Sequence, residues 1–193
     1  FMAILTAFTG RKKLSSSTVT RAGTAMRGAS KTAKEGQDVV RAEEGAEVLV
    51  TRRSMEMRHH KGEISFPGGR CDPDETPIET ALREAHEEVG LDPSRPNVVG
   101  ELRHLSTIVS KSYIVPVVAT IDEPIALEPQ TMESDRVFWI PIADLVRPGT
   151  YHRERWGIAP LDRPLHFFHL DDETVWGATA HMLVELLTLP RVR

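Results

Sequence analysis

The segment from Gly69 to Leu91 places the strongest constraint on the fold, because both ends of a helix are marked in it. Thr76 and Glu79 have the spacing of a capping box, in which each side chain bonds the backbone amide of the other residue. Pro77 follows at the first helical position, where its missing N–H costs nothing. Gly90 suits the left-handed residue just past the C-terminus. The segment therefore predicts a helix between Pro77 and Gly90.

The helix has two distinct faces. Five apolar residues recur at helical spacing and are expected to face the core: Ile78, Ala81, Leu82, Ala85 and Val89. Three carboxylates at i, i+3 and i+4 share another face: Glu84, Glu87 and Glu88. Like charges at this spacing destabilise an isolated helix by roughly 0.2–0.5 kcal/mol per pair, and a cation between them removes that cost. Carboxylate oxygens suit hard ions such as Mg²⁺, which also bind substrate phosphates. The alternative is a solvated acidic face without a ligand.

The same segment resembles the Nudix box, whose pattern is G-x5-E-x7-R-E-U-x-E-E-x-G-U, with U an aliphatic residue. Every fixed position is filled, by Gly69, Glu75, Arg83, Glu84, Glu87, Glu88 and Gly90. The resemblance implies an α/β (α+β) class, the Nudix α/β/α sandwich with a mixed central sheet. It implies Mg²⁺ or Mn²⁺ as cofactor, held by Glu84, Glu87, Glu88 and Gly69. The implied catalytic residues are Glu84, Glu87, Glu88 and Arg83. Arg83 would hold Glu75 and the glycine loop that begins at Gly69 in place, and Glu75 and Gly90 would have structural roles.

A second pattern lies directly upstream of the box. Nudix enzymes that act on coenzyme A carry L-L-T-x-R-S-x3-R-x3-G-x3-F-P-G-G, and this chain matches it with Leu49, Thr51, Arg53, Ser54, Arg58, Gly62, Phe66, Pro67, Gly68 and Gly69. Val50 replaces the second leucine. Coenzyme A has a 3′-phosphate besides its pyrophosphate, and arginine suits bidentate phosphate contacts. We therefore expect substrate binding by Arg53, Arg58, Lys61, Phe66 and Gly68. For any one of the cations, a plain surface charge is the alternative.

The activity implied by the two resemblances is that of a coenzyme A diphosphatase. Water would attack one phosphorus of the pyrophosphate, giving adenosine 3′,5′-bisphosphate and 4′-phosphopantetheine. The cation would activate that water and neutralise the leaving phosphate, and a box glutamate or Glu133 would take the proton. Two alternatives remain. The substrate could be another nucleoside diphosphate derivative, such as ADP-ribose or a dinucleotide. The domain could also be a non-catalytic nucleotide sensor, although such domains often lose box carboxylates and none is missing here.

Composition limits the remaining choices. A chain of 193 residues with 40% hydrophobic and 27% charged residues is typical of one globular domain. No apolar run approaches the roughly 20 residues that span a membrane, so no membrane partner is expected. The formal net charge of −4 combines +7 on residues 1–34, which contain no Asp or Glu, with −11 on the rest. An acidic body argues against a nucleic-acid surface. The expected partner is a small nucleotide of the coenzyme A type, and a homodimer is left open.

The first 36 residues are expected to be a basic N-terminal extension of a Nudix domain at residues 37–190. A basic surface segment on a cytoplasmic enzyme is favoured. The alternative is a transit peptide, which is Arg- and Ser-rich and poor in acids, and it would make the protein mitochondrial. The lone Cys71 rules out an internal disulfide and is interpreted as a bystander thiol.

Patterns along the chain predict the remaining elements. A strand pair is expected at residues 39–40 and 47–51, and further strands at residues 98–108, 113–121, 137–140 and 165–170. Residues 141–145 are expected to form a short helix and residues 147–164 a loop or irregular hairpin. A closing helix at residues 176–187 has a predicted buried stripe of Thr179, Met182, Leu183, Leu186 and Leu187. Glu133 and Asp135 are expected in the loop before the 137–140 strand.

Overall fold

The computed structural model of the chain describes residues 2–9 (backbone only), 45–107, 112–122, 125–157 and 162–189. Its helices are α1 (Pro77–Val89), α2 (Ile142–Leu145) and α3 (Gly177–Leu187). Its strands are β1 (Met2–Thr9), β2 (Glu47–Arg53), β3 (Ile64–Ser65), β4 (Gly68–Arg70), β5 (Asn97–Glu101), β6 (Leu105–Ser106), β7 (Tyr113–Ile121), β8 (Ser134–Pro141), β9 (Tyr151–Trp156), β10 (Arg163–His169) and β11 (Thr174–Trp176).

The larger sheet is mixed, as the family resemblance implies. Its main path runs β3-β2-β1-β7-β5, while β4 also pairs with β1, β6 with β7, and β8 with β2. β1 is parallel to β7 and antiparallel to both β2 and β4. From Ile114 to Ile121 every residue of β7 is buried, because the strand is interior to the sheet and both faces are covered. This interior position explains why β7 is largely apolar along its length.

Alternation along the strands creates one apolar core on each face of this sheet. Leu49, Val117 and Ala119 pack against Ala81, Ala85 and Val89 of α1. On the opposite face Val48, Val50 and Val118 belong to a larger cluster with α3 and the second sheet. Helices on both faces of a mixed sheet give the predicted α/β/α sandwich. No helix in the described ranges is long and apolar enough to cross a membrane.

The box helix follows its predicted boundaries, with one error in its buried face. Ala81, Ala85 and Val89 are fully buried and Leu82 is half-buried, but Ile78 is 38% exposed. Ile78 lies in the first turn of the helix, and the buried residues of the helix begin only at Thr80. The closing helix is predicted correctly, since all five residues of its expected stripe are buried.

Residues 147–164, expected to form a loop or irregular hairpin, contain β9 and the start of β10, which form a hairpin within a second, three-stranded sheet. β9 pairs antiparallel with β10, and β10 with β11, so residues 165–170 are not the last strand. β9 was not predicted as a separate strand, because five of its six residues are exposed. The strand expected at residues 98–108 is broken into β5 and β6, with a register shift against β7 between Val98 and Gly100. Asp135 lies within β8 instead of in the preceding loop.

The N-terminal prediction needs revision for Met2–Thr9. This segment is a strand in the interior of the main sheet, so it is not an extension separate from the domain. Its pairing with β7 spans more than a hundred residues of sequence, which no local pattern reveals. Residues 10–44, including the strand expected at residues 39–40, lie outside the described residues. A domain boundary near residue 37 therefore stays a prediction.

Candidate functional site

Both caps of α1 have the predicted geometry. The Glu79 amide donates to Thr76 Oγ1 at 3.3 Å, and the Thr76 amide donates to Glu79 Oε2 at 2.9 Å. Gly90 ends the helix in the left-handed conformation, with φ of 74°. These bonds fix where the helix begins and ends. They therefore also fix which of its residues face the glycine loop, the segment Gly68–Arg70 that forms β4.

Arg83 organises the acidic side of the helix. Its Nε and Nη2 donate to the two oxygens of Glu75 at 2.7 and 2.9 Å, a bidentate pair. Its Nη1 donates to Glu84 Oε1 and to Glu87 Oε2, both at 3.1 Å. Nη2 also donates to the Arg70 carbonyl at 3.2 Å. Arg83 thus ties the loop to the helix, as the family resemblance implies.

Thr80 is a member of this network that the sequence analysis missed. It is fully buried, and its hydroxyl donates to Glu75 Oε2 at 2.8 Å. Hydrogen bonds from Arg83 and Thr80 stabilise the carboxylate and lower the pKa of Glu75 to about 2. The available signal was a hydroxyl residue beside Ala81 on the buried side of the helix, within one turn of Arg83.

Gly69 allows the glycine loop to touch the helix. A Cβ at this position would lie 2.3 Å from the carboxyl carbon and Oε1 of Glu84, which is closer than any real contact. Only glycine therefore permits this approach. The Glu84 side chain is 16% exposed, and its burial raises the pKa of the carboxyl despite the bond from Arg83.

Glu88 is the carboxylate at the site whose pKa is raised to about 7. Its Oε2 accepts a hydrogen bond from the Gly68 amide at 3.2 Å. Burial, reinforced by the negative charges of Glu84 and Glu133, raises its pKa to about 7, although the Gly68 bond and Arg53 act in the opposite direction. A cation nearby would stabilise the charged form of a carboxylate in this environment.

The end of β2 brings two more residues to Glu88. The Ser54 amide donates to the Glu133 carbonyl at 2.7 Å, which fixes the start of β8 beside the upstream turn. Arg53 Nη2 lies 3.9 Å from Glu133 Oε2, and its charge also acts on Glu88. The carboxylates of Glu84 and Glu133 and the guanidinium of Arg53 are therefore close enough to Glu88 to act on it electrostatically.

The other predicted substrate contacts divide into two groups. Arg58 and Lys61 are exposed on the turn between β2 and β3, which is closed by the bonds between Arg53 and Gly62–Glu63. Phe66 does not fit its predicted role. It is 2% exposed and belongs to the core on the sheet face opposite α1, so its side chain packs and does not face the site.

The donor set fits a hard divalent cation. Glu84, Glu88 and Glu133 supply only oxygen, and their mutual repulsion is what such an ion would relieve. Across the described ranges, however, no three His, Cys, Asp or Glu side chains already surround a common point. The reason is that Glu84 and Glu87 both turn toward Arg83. Joint coordination would require at least one of them to leave Arg83.

Comparison with known proteins agrees with this geometry. The sequence profile described as NUDIX domain matches residues 35–161. The chain is similar to Nudix hydrolase 3 of Caenorhabditis elegans, with 34% identity over 159 residues, covering 74% of this chain and 66% of that protein. It is also similar to mitochondrial coenzyme A diphosphatase NUDT8 of Homo sapiens, with 40% identity over 140 residues, covering 69% of this chain and 58% of that protein. The chain thus spans less than two thirds of either relative.

Among solved structures, a MutT/nudix family protein from Enterococcus faecalis superimposes with a TM-score of 0.51 and 15% identity. The match covers 95% of this chain and 59% of that one, and it shows the fold alone. The profile spans well over half of the chain, and it includes the glycine loop, the capped helix and the carboxylates described above. The chain therefore belongs to the Nudix hydrolase family.

Proposed function

We propose that this protein hydrolyses the pyrophosphate of coenzyme A or a derivative. Water adds across the P–O–P anhydride, so that one new P–O bond forms and one breaks. The products are adenosine 3′,5′-bisphosphate and 4′-phosphopantetheine. The observation that carries the proposal is the proximity of both sequence motifs in space, because Arg53 of the upstream motif lies 3.9 Å from Glu133 and its charge acts on Glu88 of the box helix.

The Nudix family generally uses divalent metal ions such as Mg²⁺ or Mn²⁺. In this chain we assign the ion to Glu84 and Glu88, assisted by Glu87 and the carbonyl of Gly69. A bound divalent ion supplies Lewis-acid activation of water and neutralises phosphate charge. Activity measured with Mg²⁺ and with Mn²⁺ would show which metal the protein prefers.

The protein's own groups would then divide the work. The Gly68 amide holds one oxygen of Glu88 and leaves the other free. Arg83 fixes Glu75, and through Arg70 it fixes the loop that carries Gly69. Glu133 is 58% exposed and lies at the edge of the carboxylate cluster, where it can accept the proton released by the attacking water.

Support for coenzyme A comes from the upstream motif and from one relative. The human protein's name states coenzyme A diphosphatase, whereas the nematode protein's name states no substrate. Arg58 and Lys61 are exposed and could meet the 3′-phosphate. ADP-ribose and dinucleotides lack that phosphate, so they are the natural competitors. The human name also states mitochondrial, which supports the mitochondrial alternative over the cytoplasmic one, and fractionation of the full-length protein would decide it.

The decisive experiment is a product assay on the purified protein. Coenzyme A, 3′-dephospho-coenzyme A, ADP-ribose and a diadenosine polyphosphate are each incubated with Mg²⁺, Mn²⁺ or a chelator. We expect 4′-phosphopantetheine from coenzyme A, only with metal, and a higher kcat/KM than for the other substrates. Glu84→Gln and Glu88→Gln should lose at least 100-fold in activity with unchanged circular dichroism. Equal turnover of ADP-ribose, or near-normal activity of both variants, would refute the substrate or the metal assignment.

A further inference from the structure

Arg53 carries a buried donor with no acceptor. Its Nε is enclosed, and it is the only buried side-chain nitrogen or oxygen within the described ranges that lacks a hydrogen-bond partner. The side chain as a whole is 30% exposed, and Nη2 lies 3.9 Å from Glu133 Oε2, too far for a hydrogen bond. A buried N–H without a partner is costly, so the hydrogen bonds of the folded chain alone do not account for an arginine at this position.

The backbone holds this side chain on the catalytic face of the sheet. Strand alternation places Arg53 on the same side as Leu49, which packs against α1, and opposite to Val48 and Val50. The Arg53 amide donates to the Glu63 carbonyl at 2.9 Å, and its carbonyl accepts from Gly62 at 3.0 Å. Its direction is therefore set by the sheet and by the closure of the turn.

Arg52 shows what a structural arginine looks like one residue away. It points to the other face, where its Nε donates to Asp135 at 2.7 Å and its Nη1 donates to Glu173 at 3.1 Å. The register between β2 and β8 shifts between Arg52 and Arg53 because Asp135 of β8 has no partner on β2, so the alternation along β2 itself is kept. Arg52 has carboxylate partners at hydrogen-bond distance, whereas Arg53 has a free donor beside Glu88 and Glu133.

We propose that Arg53 binds the diphosphate that is being hydrolysed, and not the 3′-phosphate for which the sequence pattern suggests it. This inference rests on the proposed pyrophosphatase function. A cation fixed beside the catalytic carboxylates meets the reacting anhydride, whose oxygens can accept from the exposed end of the guanidinium. The 3′-phosphate lies across the ribose from that anhydride. Arg58 and Lys61, exposed on the turn, are the cations left for it.

The test compares substrates that differ only in the 3′-phosphate. Arg53→Gln and Arg53→Lys are assayed with coenzyme A and with 3′-dephospho-coenzyme A at saturating metal. We expect Arg53→Gln to lower kcat/KM at least 10-fold on both substrates, with the ratio between them unchanged within 2-fold. Arg53→Lys keeps the charge but loses the planar guanidinium that can make two parallel hydrogen bonds to phosphate, so it should recover only part of the activity.

Three outcomes overturn the inference. In the first, Arg53→Gln abolishes the preference for coenzyme A while sparing the dephospho substrate, which assigns Arg53 to the 3′-phosphate. In the second, Arg53→Lys restores wild-type kcat/KM, which makes Arg53 a charge balance for Glu88 and Glu133. In the third, both variants keep full activity.

Matched controls separate binding from folding. Arg52→Gln removes a guanidinium one residue away and should leave kcat/KM within 2-fold, whatever it does to stability. The double variant Arg58→Gln/Lys61→Gln should reduce the coenzyme A preference and spare the dephospho substrate. If the wild-type protein prefers ADP-ribose, the proposed substrate fails, and a 10-fold loss of Arg53→Gln on ADP-ribose still supports the diphosphate contact.

Discussion

Replacing Gly69 with alanine tests whether the glycine loop must touch Glu84. An alanine Cβ would lie 2.3 Å from the Glu84 carboxyl carbon, and an ordinary contact begins at 3.4 Å, so the two groups must separate by about 1.1 Å. Rotation of Glu84 away from the new methyl group would break the hydrogen bond from Arg83 Nη1 to its Oε1, at 3.1 Å, and would move a side chain that is only 16% exposed. The carboxylate or β4 must therefore move.

The expected effect on activity is large and the effect on folding is smaller. A displacement of about 1 Å at a catalytic group can cost on the order of 10²-fold in rate. We therefore expect Gly69→Ala to lower kcat/KM about 100-fold. Overpacking typically costs roughly 1–3 kcal/mol of stability, so most of the protein should remain folded at 25 °C.

A double-mutant cycle gives the sharper measurement. Glu84→Asp retracts the carboxylate by roughly 1.5 Å, one carbon–carbon bond, which makes room for the new methyl group. Both single variants should lose activity, and Gly69→Ala/Glu84→Asp should be no worse than Glu84→Asp alone. Arg70→Ala, on the neighbouring exposed position of the strand, is the control and should stay near wild type.

The contact between loop and carboxylate would be irrelevant to catalysis in two cases. One is Gly69→Ala activity within 3-fold of wild type. The other is a double variant whose loss in kcat/KM equals the product of the two single losses. Such independence would mean that the Cβ and the carboxylate do not compete for the same space.

Three further predictions concern the carboxylates and their partners. In metal-free protein the folded pKa of Glu88 is about 7, above its usual 4.5; stability from its neutral form is therefore present below about pH 4.5 and lost as pH rises through 7, by up to roughly 3 kcal/mol. The free energy of unfolding of Glu88→Gln, measured with denaturant, should therefore change less with pH across that window than that of the wild type. An equal change in both proteins would contradict the burial argument. The Glu75 pKa is about 2, so its stabilisation is present above about pH 4.5 and lost as pH falls through 2. Glu75→Gln should therefore lower Tm at pH 7 and much less near pH 2; equal losses at both pH values would show that its charge is not what matters. Thr80→Val removes the buried hydroxyl bonded to Glu75 and should cost about 2 kcal/mol in urea unfolding; a neutral result would mean that Arg83 alone satisfies the carboxylate.

The sequence predicted those elements whose determinants lie close together in the chain. The ends of the box helix follow from residues 76, 77, 79 and 90, and each interacts within one turn. The closing helix and its buried stripe follow from a 3.6-residue period in the same way. β9 was predicted only as part of a loop or irregular hairpin, because most of its residues face solvent and its pairing partner begins after an intervening segment.

Site residues divide along the same line. Motif spacing named Glu75, Arg83, Glu84 and Glu88, and the structure gathers them at one loop and one helix. Spacing also suggested Phe66 as a substrate contact, yet Phe66 faces the opposite core. A pattern records which residue type occurs at a position, but the face of the sheet to which that side chain points depends on strand pairing.

The amino-acid sequence by itself determined the capped helix, its row of carboxylates and the mixed α/β class, because local hydrogen bonds and hydrophobic periodicity act over a few residues. Only the tertiary structure decided that Met2–Thr9 enters the sheet, that Glu88 has a pKa near 7, and that Arg53 has a free donor beside it. Those properties depend on burial and on partners far away in the chain, and neither is encoded in any short stretch of sequence.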